Sequence, residues 1–222
     1  MRKLSKLMIT VLTIFSIGFF TNAGNADPIN VGDVIKLYDG PGTTGGGEFK
    51  VYKDGVYLFD TFCVERDEYF SFGQALTVAG ISDRAIYGGV GEEGDPLDPR
   101  TAYLYTQFRA GTLSNYDYNN FTERVNDANS LQLAIWVIEG ELTSTSDAQA
   151  LAWIGEAENA INKGIWSGIG NVRVLNLVDS QGNRRQDQLV MVPEPSTLLL
   201  MGAGLIGIGA FGRRKLKRKE RN

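Results

Sequence analysis

The sequence predicts an α+β fold, in the form of a β-sandwich or a barrel-like sheet with a helical insertion between its strands. Three observations support this class. The first half is rich in β-branched and aromatic residues, the middle shows helical periodicity with capping signals, and a hairpin pattern returns near the C-terminal end. Residues 27–192 contain all three patterns, and this length is sufficient for one globular domain with a hydrophobic core.

The first half is predicted to form strands joined by tight turns. In EFKVYKDGVYLFDTFCVERD (48–67), two β-rich runs flank Asp54-Gly55, a pair suited to the positive φ angles of a type I′ hairpin. Cys63 then falls towards the end of the second strand. The stretch GPGTTGGGE (40–48) is predicted to be a flexible loop, and residues 69–90 are predicted to form short strands with glycine turns.

The middle of the chain is predicted to form three helices. The first begins at Asp98-Pro99, has Leu104 and Phe108 one turn apart, and ends at Gly111. A terminal β-hairpin around DSQGN (179–183) follows the helical region.

The second helix is predicted to begin with Asn129 or Ser130 as its N-cap. The third is predicted to begin at Ser146, with Gln149 completing a capping box, and to end at Gly164. The predicted apolar faces are Leu131, Ile135 and Ile138 in the second helix and Leu151, Ile154 and Ile161 in the third.

Residues 1–26 have the three parts of a secretory signal peptide. Positive charges come first, the apolar run Leu7–Phe20 follows, and small residues then allow cleavage after Ala23 or Ala26. The positive residues are Arg2, Lys3 and Lys6. Such a signal implies the Sec translocase and signal peptidase as partners. The alternative is an N-terminal membrane anchor, but this run of 14 residues is shorter than the roughly 20 that span a bilayer.

The C-terminal end, residues 193–222, has a different three-part pattern. Pro193-Glu194-Pro195 is followed by the uncharged apolar segment Thr197–Gly212 and then by seven basic residues within Arg213–Arg221, beginning with Arg213 and Arg214. A basic tail after an apolar helix stays on the cytoplasmic side, so the body is expected across the membrane. A permanent tail anchor is the alternative.

This arrangement resembles the PEP-CTERM sorting signal, which combines a Pro-Glu-Pro motif, a short hydrophobic helix and an Arg-rich tail. The resemblance implies processing by exosortase, a membrane-embedded protease or transpeptidase. It also implies a transient stay in the inner membrane and a final place at the cell surface or in the extracellular matrix. The resemblance indicates where the protein is delivered and does not indicate a biochemical activity.

Composition restricts the chemistry of the body. Residues 27–192 carry 12 basic and 24 acidic side chains, a net charge of −12, although the whole chain has a net charge of −4. An acidic body is repelled by phosphate backbones, so nucleic acid is not expected as a partner. The chain has no histidine and one cysteine, which excludes Ser-His-Asp and Cys-His catalysis and an ordinary zinc site.

We therefore expect no enzymatic activity, no cofactor and no metal site, although a hydrolase that uses a pair of carboxylates stays open. The single thiol is unusual, because exported thiols normally pair in disulfides.

Two short motifs suggest a use for this thiol. Phe62-Cys63-Val64 places the cysteine among apolar strand residues, and LQLAIW (131–136) places Gln132 on a helix. With TAYLYTQF (101–108) between them, they resemble the thioester domains of bacterial surface proteins over about residues 30–190. The resemblance implies that Cys63 attacks the Gln132 side-chain amide, expels ammonia and leaves an internal thioester. An amine on a target, such as a lysine, would then take the acyl group.

Other interpretations stay open. Cys63 also fits a small buried apolar residue, and Gln132 a solvated residue at the edge of a core stripe. The chain would then be a non-covalent matrix component that binds exopolysaccharide. Glu65 is near enough in sequence to assist proton transfer, but it is predicted to be an acidic surface residue. Linked repeat domains and a cell-wall anchoring motif of the Gram-positive adhesin kind are missing from the sequence.

Overall fold

The computed structural model describes residues 27–43, 45–86 and 94–193. These residues form eight strands and three helices, in the predicted order of strands, helices and strands. The strands are β1 (Val34–Thr43), β2 (Gly46–Lys53), β3 (Val56–Thr61), β4 (Leu76–Ser82), β5 (Arg84–Ala85), β6 (Asp95–Pro96), β7 (Val172–Val178) and β8 (Arg184–Met191). The helices are α1 (Pro99–Arg109), α2 (Phe121–Ile138) and α3 (Ala148–Asn162). The α+β class is confirmed.

Six strands form one antiparallel sheet in the order β3-β2-β1-β4-β7-β8, and β5 pairs separately with β6. One buried cluster contains side chains from all six strands of the large sheet, so the sheet curls around it. The predicted barrel-like sheet is therefore present only as a curl, because the described strands do not close into a barrel. The chain just after β3 reaches β8 through a single bridge between Cys63 and Gln188.

The first turns are glycine-dependent hairpins. The Asp54-Gly55 turn is confirmed, since the two residues have φ angles of 53° and 80°. The flexible loop predicted at 40–48 is wrong, because β1 and β2 extend into it and pair Gly42 with Gly47. A Cβ atom on Gly47 would lie 2.8 Å from the Gly42 Cα. These glycines therefore allow two backbones to approach closely.

The first helix agrees with its prediction and the second does not. The Asp98 side chain caps α1 by accepting from the Arg100 N–H at 2.7 Å, and Gly111 follows its end with a φ of 70°. Helix α2 begins at Phe121 with Asn120 as its N-cap, well before the predicted Asn129 or Ser130. Its early turns are polar, so apolar periodicity does not reveal them.

Helix α3 begins after Asp147, whose carboxylate accepts from the Ala150 N–H at 2.7 Å. The capping box predicted at Ser146 and Gln149 is wrong, and the buried Gln149 Nε2 has no hydrogen-bond partner among the described residues. The predicted apolar stripe is wrong at Leu151, which is 51% exposed, whereas Ile154 is partly buried and packs against the core. The buried face consists of Ala150, Trp153, Ala157 and Ala160. Gly164 ends the helix as predicted, with a φ of 67°.

The helices pack over one part of the sheet. Their predicted apolar residues Leu104, Phe108, Leu131 and Ile135 join side chains of β7 and β8 in a second buried cluster. Within the described ranges, none of the helices has both the length and the hydropathy of a membrane span. The predicted signal peptide at 1–26 and the predicted sorting helix at 197–212 lie outside the described residues.

Candidate functional site

Cys63 lies where the two ends of the curled sheet meet. On one side the Leu189 N–H donates to the Phe62 carbonyl at 3.0 Å, and the Val64 N–H donates to the Asp187 carbonyl at 3.2 Å. Along a strand, successive backbone groups point to opposite sides. The N–H and C=O of Cys63 itself therefore point away from β8, towards the side where β2 pairing ends at Phe49 and Thr61.

The Gln132 carboxamide takes the place of a strand at this point. The Cys63 N–H donates to Gln132 Oε1 at 3.2 Å, and Gln132 Nε2 donates to the Cys63 carbonyl at 2.8 Å. The Cys63 thiol also donates to Oε1, with a sulfur–oxygen distance of 3.3 Å. Each residue is 1% exposed. The structure therefore brings the two sequence-predicted site residues into direct contact, across 69 positions of the chain.

The electrostatic surroundings keep the Cys63 thiol protonated. Burial raises its pKa, and the negative charges of Glu65 and Glu141 raise it further, while the Trp136 side chain lowers it. Because the thiolate is the effective nucleophile, any attack by this sulfur needs a group that removes its proton.

Glu65 is buried, so its prediction as a surface residue is wrong. Its side chain is 1% exposed, and Oε2 accepts from the Asp187 N–H at 3.1 Å. Its backbone carbonyl accepts from Gln186 Nε2 at 2.8 Å. The segment that carries Cys63 thus brings a carboxylate into the interior two residues later. The alternation of buried and exposed side chains in a strand could not predict the burial of Glu65, because the regular strand β3 ends at Thr61.

A small apolar cluster encloses the sulfur. Cys63 packs with Phe49 and Trp136, and the partly buried side chains of Phe70, Leu133 and Leu142 cover them. Phe70 meets Phe49 edge-on, with ring centroids 5.2 Å apart. Any outside reagent must therefore pass this cover to reach the Cys63–Gln132 pair.

Gly46 is a site residue that the sequence analysis missed. A Cβ atom there would lie 2.8 Å from Gln132 Cγ and 2.9 Å from Trp136 Cη2. Only glycine leaves room for both side chains beneath this strand. The GGG run at 45–47 could have indicated this close packing, but it was interpreted as part of a flexible loop.

A buried ion pair fixes the helix that carries Gln132. Arg124 on α2 donates to both carboxylate oxygens of Glu48 on β2, at 2.7 and 2.5 Å. The Tyr116 hydroxyl also donates to Glu48, and Arg124 reaches Asp60 on β3 at 3.1 Å. The Glu48 side chain is fully buried, and this burial raises its pKa despite the hydrogen bonds from Arg124 and Tyr116. Sequence periodicity indicated neither partner.

The remaining predicted site residues belong to the C-terminal end. Pro193 is exposed and is the last described residue. Glu194, Pro195, Arg213 and Arg214 lie outside the described residues.

Comparison with known proteins identifies only this C-terminal end. The family model for the PEP-CTERM protein-sorting motif matches residues 192–215. No curated protein and no solved structure matches the chain. The motif supports an exported protein that is held transiently in the membrane and then processed by exosortase. The resemblance of the body to thioester domains stays a prediction.

Proposed function

We propose that this exported protein forms an internal thioester between Cys63 and Gln132 and uses it to attach covalently to an amine-bearing target. The observation that carries the proposal is the position of the thiol, 3.3 Å from Oε1 of a carboxamide that two further hydrogen bonds fix against the Cys63 backbone. Holding the thiol and the carboxamide side by side removes part of the entropic cost of bringing them together.

Formation of the thioester is an exchange of leaving groups at one carbon. Cys63 Sγ adds to Gln132 Cδ, the bond from Cδ to Nε2 breaks, and ammonia leaves with the proton of the thiol. Oxygen Oε1 gains negative charge during the addition, and the Cys63 N–H at 3.2 Å is already directed at it. The Cys63 carbonyl holds Nε2 at 2.8 Å, which fixes the direction in which ammonia departs.

The proton of the thiol needs an acceptor, because burial keeps the sulfur neutral. Glu65 is the proposed candidate, since its buried carboxylate interacts electrostatically with Cys63.

The attachment step consumes the thioester. An amine adds to Cδ, the bond from carbon to sulfur breaks, and a stable amide forms while Cys63 returns to a thiol. Each molecule reacts once, so the proposed activity is stoichiometric capture and not enzymatic turnover. The cover formed by Phe70, Leu133 and Leu142 has to open for the amine to enter.

Intact-mass measurement of the purified protein tests this proposal. After the N-terminal residue has been determined, we expect a mass lower than the sequence mass by one ammonia. Cys63→Ala should restore the full mass, and methylamine should convert the wild-type species to one that is heavier by one methylamine and has a free thiol. An unshifted wild-type mass together with an alkylatable thiol would refute the proposal.

A second candidate function is non-covalent binding of exopolysaccharide in a matrix. It is favoured by an exposed face of β1, β2 and β3, where Tyr38, Tyr52 and Tyr57 form a row with ring centroids 5.2 and 5.7 Å apart. Lys36 lies opposite Tyr52 and Lys50 lies opposite Tyr38, and both lysines line the same open depression. Rings with adjacent charged donors suit a hydroxyl-rich sugar chain.

In this second candidate function, Gln132 serves only as a hydrogen-bond partner of Cys63, and the sulfur serves only as a buried packing atom. Cys63→Ala would then leave retention on immobilised exopolysaccharide unchanged, whereas a Tyr38→Ala/Tyr52→Ala variant would lose it. Loss of covalent capture in Cys63→Ala, with normal retention in the tyrosine variant, would exclude it.

A further inference from the structure

Trp136 has an indole N–H with no hydrogen-bond partner among the described residues, although its side chain is only 7% exposed. A buried indole N–H usually has a partner, so a missing one requires an explanation. Trp136 follows Gln132 by one helical turn, so both lie on the same face of α2. On that face Trp136 packs with Cys63 and Phe49.

The orientation of this ring is fixed at its far edge. Gly46 lies against the benzo edge of Trp136, where even one added carbon would come within 2.9 Å of Cη2. The nitrogen is on the other ring of the indole. Although this N–H completes no hydrogen bond among the described residues, Trp136 acts on the Cys63 thiol as a side-chain hydrogen-bond donor and lowers its pKa, against the larger effect of burial. The sulfur is therefore within the electrostatic reach of the indole.

We propose that the indole N–H of Trp136 is the donor that stabilises negative charge on Cys63 Sγ as the thioester forms and as it is opened. This inference rests on the proposed function. Neutral sulfur is a weak acceptor, so the N–H gains little in the resting protein. A sulfur that carries developing negative charge accepts a charge-assisted hydrogen bond, which is about twice as strong as a neutral one.

The indole donates a hydrogen bond in both steps and transfers no proton. During formation, the electron pair of sulfur moves to Gln132 Cδ. During attachment, the electron pair of the bond from carbon to sulfur returns to Sγ as the amine takes the acyl group. An interaction that is stronger with the charged sulfur than with the neutral one lowers the barrier of the opening step.

The test compares two matched variants, Trp136→Phe and Trp166→Phe. Both remove an indole N–H that has no hydrogen-bond partner among the described residues, but Trp166 packs against a different cluster. The purified protein is treated with methylamine, and release of its single thiol is followed with time. We expect thiol release to be about tenfold slower in Trp136→Phe, as for loss of one hydrogen bond to a charged group. Trp166→Phe should react at the wild-type rate.

A second readout separates hydrogen bonding from packing. The chain has one cysteine, so ¹³Cβ-labelled cysteine gives one NMR signal whose pH dependence reports the pKa of the Cys63 thiol. The measurement uses Gln132→Ala, which cannot form the thioester. We expect a higher thiol pKa when Trp136→Phe is added, and no change when Trp166→Phe is added. If Trp136→Phe does not fold, site-specific benzothienylalanine at position 136 keeps the ring shape and removes the N–H.

The outcomes are distinguishable. A wild-type protein that forms the thioester, together with an unchanged rate and thiol pKa without the indole N–H, overturns this inference and leaves the proposed function intact. A wild-type protein without a thioester overturns the proposed function, and the pKa comparison then decides alone whether Trp136 donates to the sulfur.

Discussion

Replacing Gln132 by methionine in a Cys63→Ala background isolates the structural value of the Gln132 hydrogen bonds. The alanine prevents any thioester but keeps the backbone N–H and C=O of residue 63. Methionine has nearly the same length as glutamine but offers no amide. The two bonds of 3.2 and 2.8 Å are therefore lost, and two buried backbone groups remain without their partner.

The expected change in the free energy of unfolding follows from these two unsatisfied backbone groups. An unsatisfied buried donor or acceptor costs about 1–3 kcal/mol, so the pair costs about 4 kcal/mol. Burial of the more apolar methionine side chain returns about 1 kcal/mol. We expect the free energy of unfolding to fall by about 3 kcal/mol, which moves the urea midpoint down by ~1.5 M at a typical denaturant dependence.

Urea denaturation followed by tryptophan fluorescence measures this change. Gln149→Met in the same background is the matched control, because Gln149 Nε2 is buried and has no partner among the described residues. That control should be neutral or slightly stabilising. A loss below about 0.5 kcal/mol for Gln132→Met would refute the claim that the carboxamide replaces a strand at Cys63.

Three further predictions concern the ion pair between Arg124 and Glu48, the carboxyl group of Glu139 and the cover of the site. Arg124→Met should lower the free energy of unfolding by about 3 kcal/mol in urea denaturation, because Glu48 keeps a buried charge without its cation. Lys50→Met breaks a pair that is more exposed to solvent than the Glu48 pair, and should lower the free energy of unfolding by less than about 1 kcal/mol. Burial raises the pKa of Glu139 from 4.5 to about 8, so its contribution to stability is complete below pH 4.5 and is lost as the pH rises through 8. The free energy of unfolding, measured by denaturation between pH 4.5 and 8, should decline with pH, and Glu139→Gln should reduce this decline. An equal decline in the variant would contradict its assignment to Glu139. Phe70→Ala should speed alkylation of Cys63 by iodoacetamide several-fold in Gln132→Ala, whereas removal of the exposed Tyr69 ring should not; equal rates would show that Phe70 is not part of the cover.

Sequence reasoning succeeded where one local feature determines the structure. Asp54-Gly55 specifies a turn because both residues tolerate positive φ, and both adopt it. Asp98-Pro99 specifies a helix start because the carboxylate caps and the proline needs no N–H partner. The pairing of Cys63 with Gln132 was predicted by resemblance to a motif pair, and the distances between the two residues are consistent with it.

It failed where distant residues determine the structure. The early turns of α2 are fixed by Arg124 and a carboxylate on β2, far away in sequence. The glycine run at 45–47 gave no indication of the two side chains that pack beneath Gly46. Burial of Glu65 depends on β8, which supplies the Asp187 N–H as its donor.

The two interpretations of the site share one set of hydrogen bonds but use different atoms. As a structural element, Gln132 needs only the backbone of residue 63, so alanine there would leave both bonds in place. The sulfur is then a buried atom next to Phe49 and Trp136, and its removal would cost a small cavity and the thiol hydrogen bond to Gln132 Oε1. As a reactive element, the same backbone bonds hold the carboxamide while the sulfur carries out the chemistry. A loss of covalent capture in Cys63→Ala is expected only where the sulfur is a nucleophile, because a small cavity and one lost thiol hydrogen bond affect stability alone. This makes the single thiol the atom on which experiments can best distinguish the two interpretations.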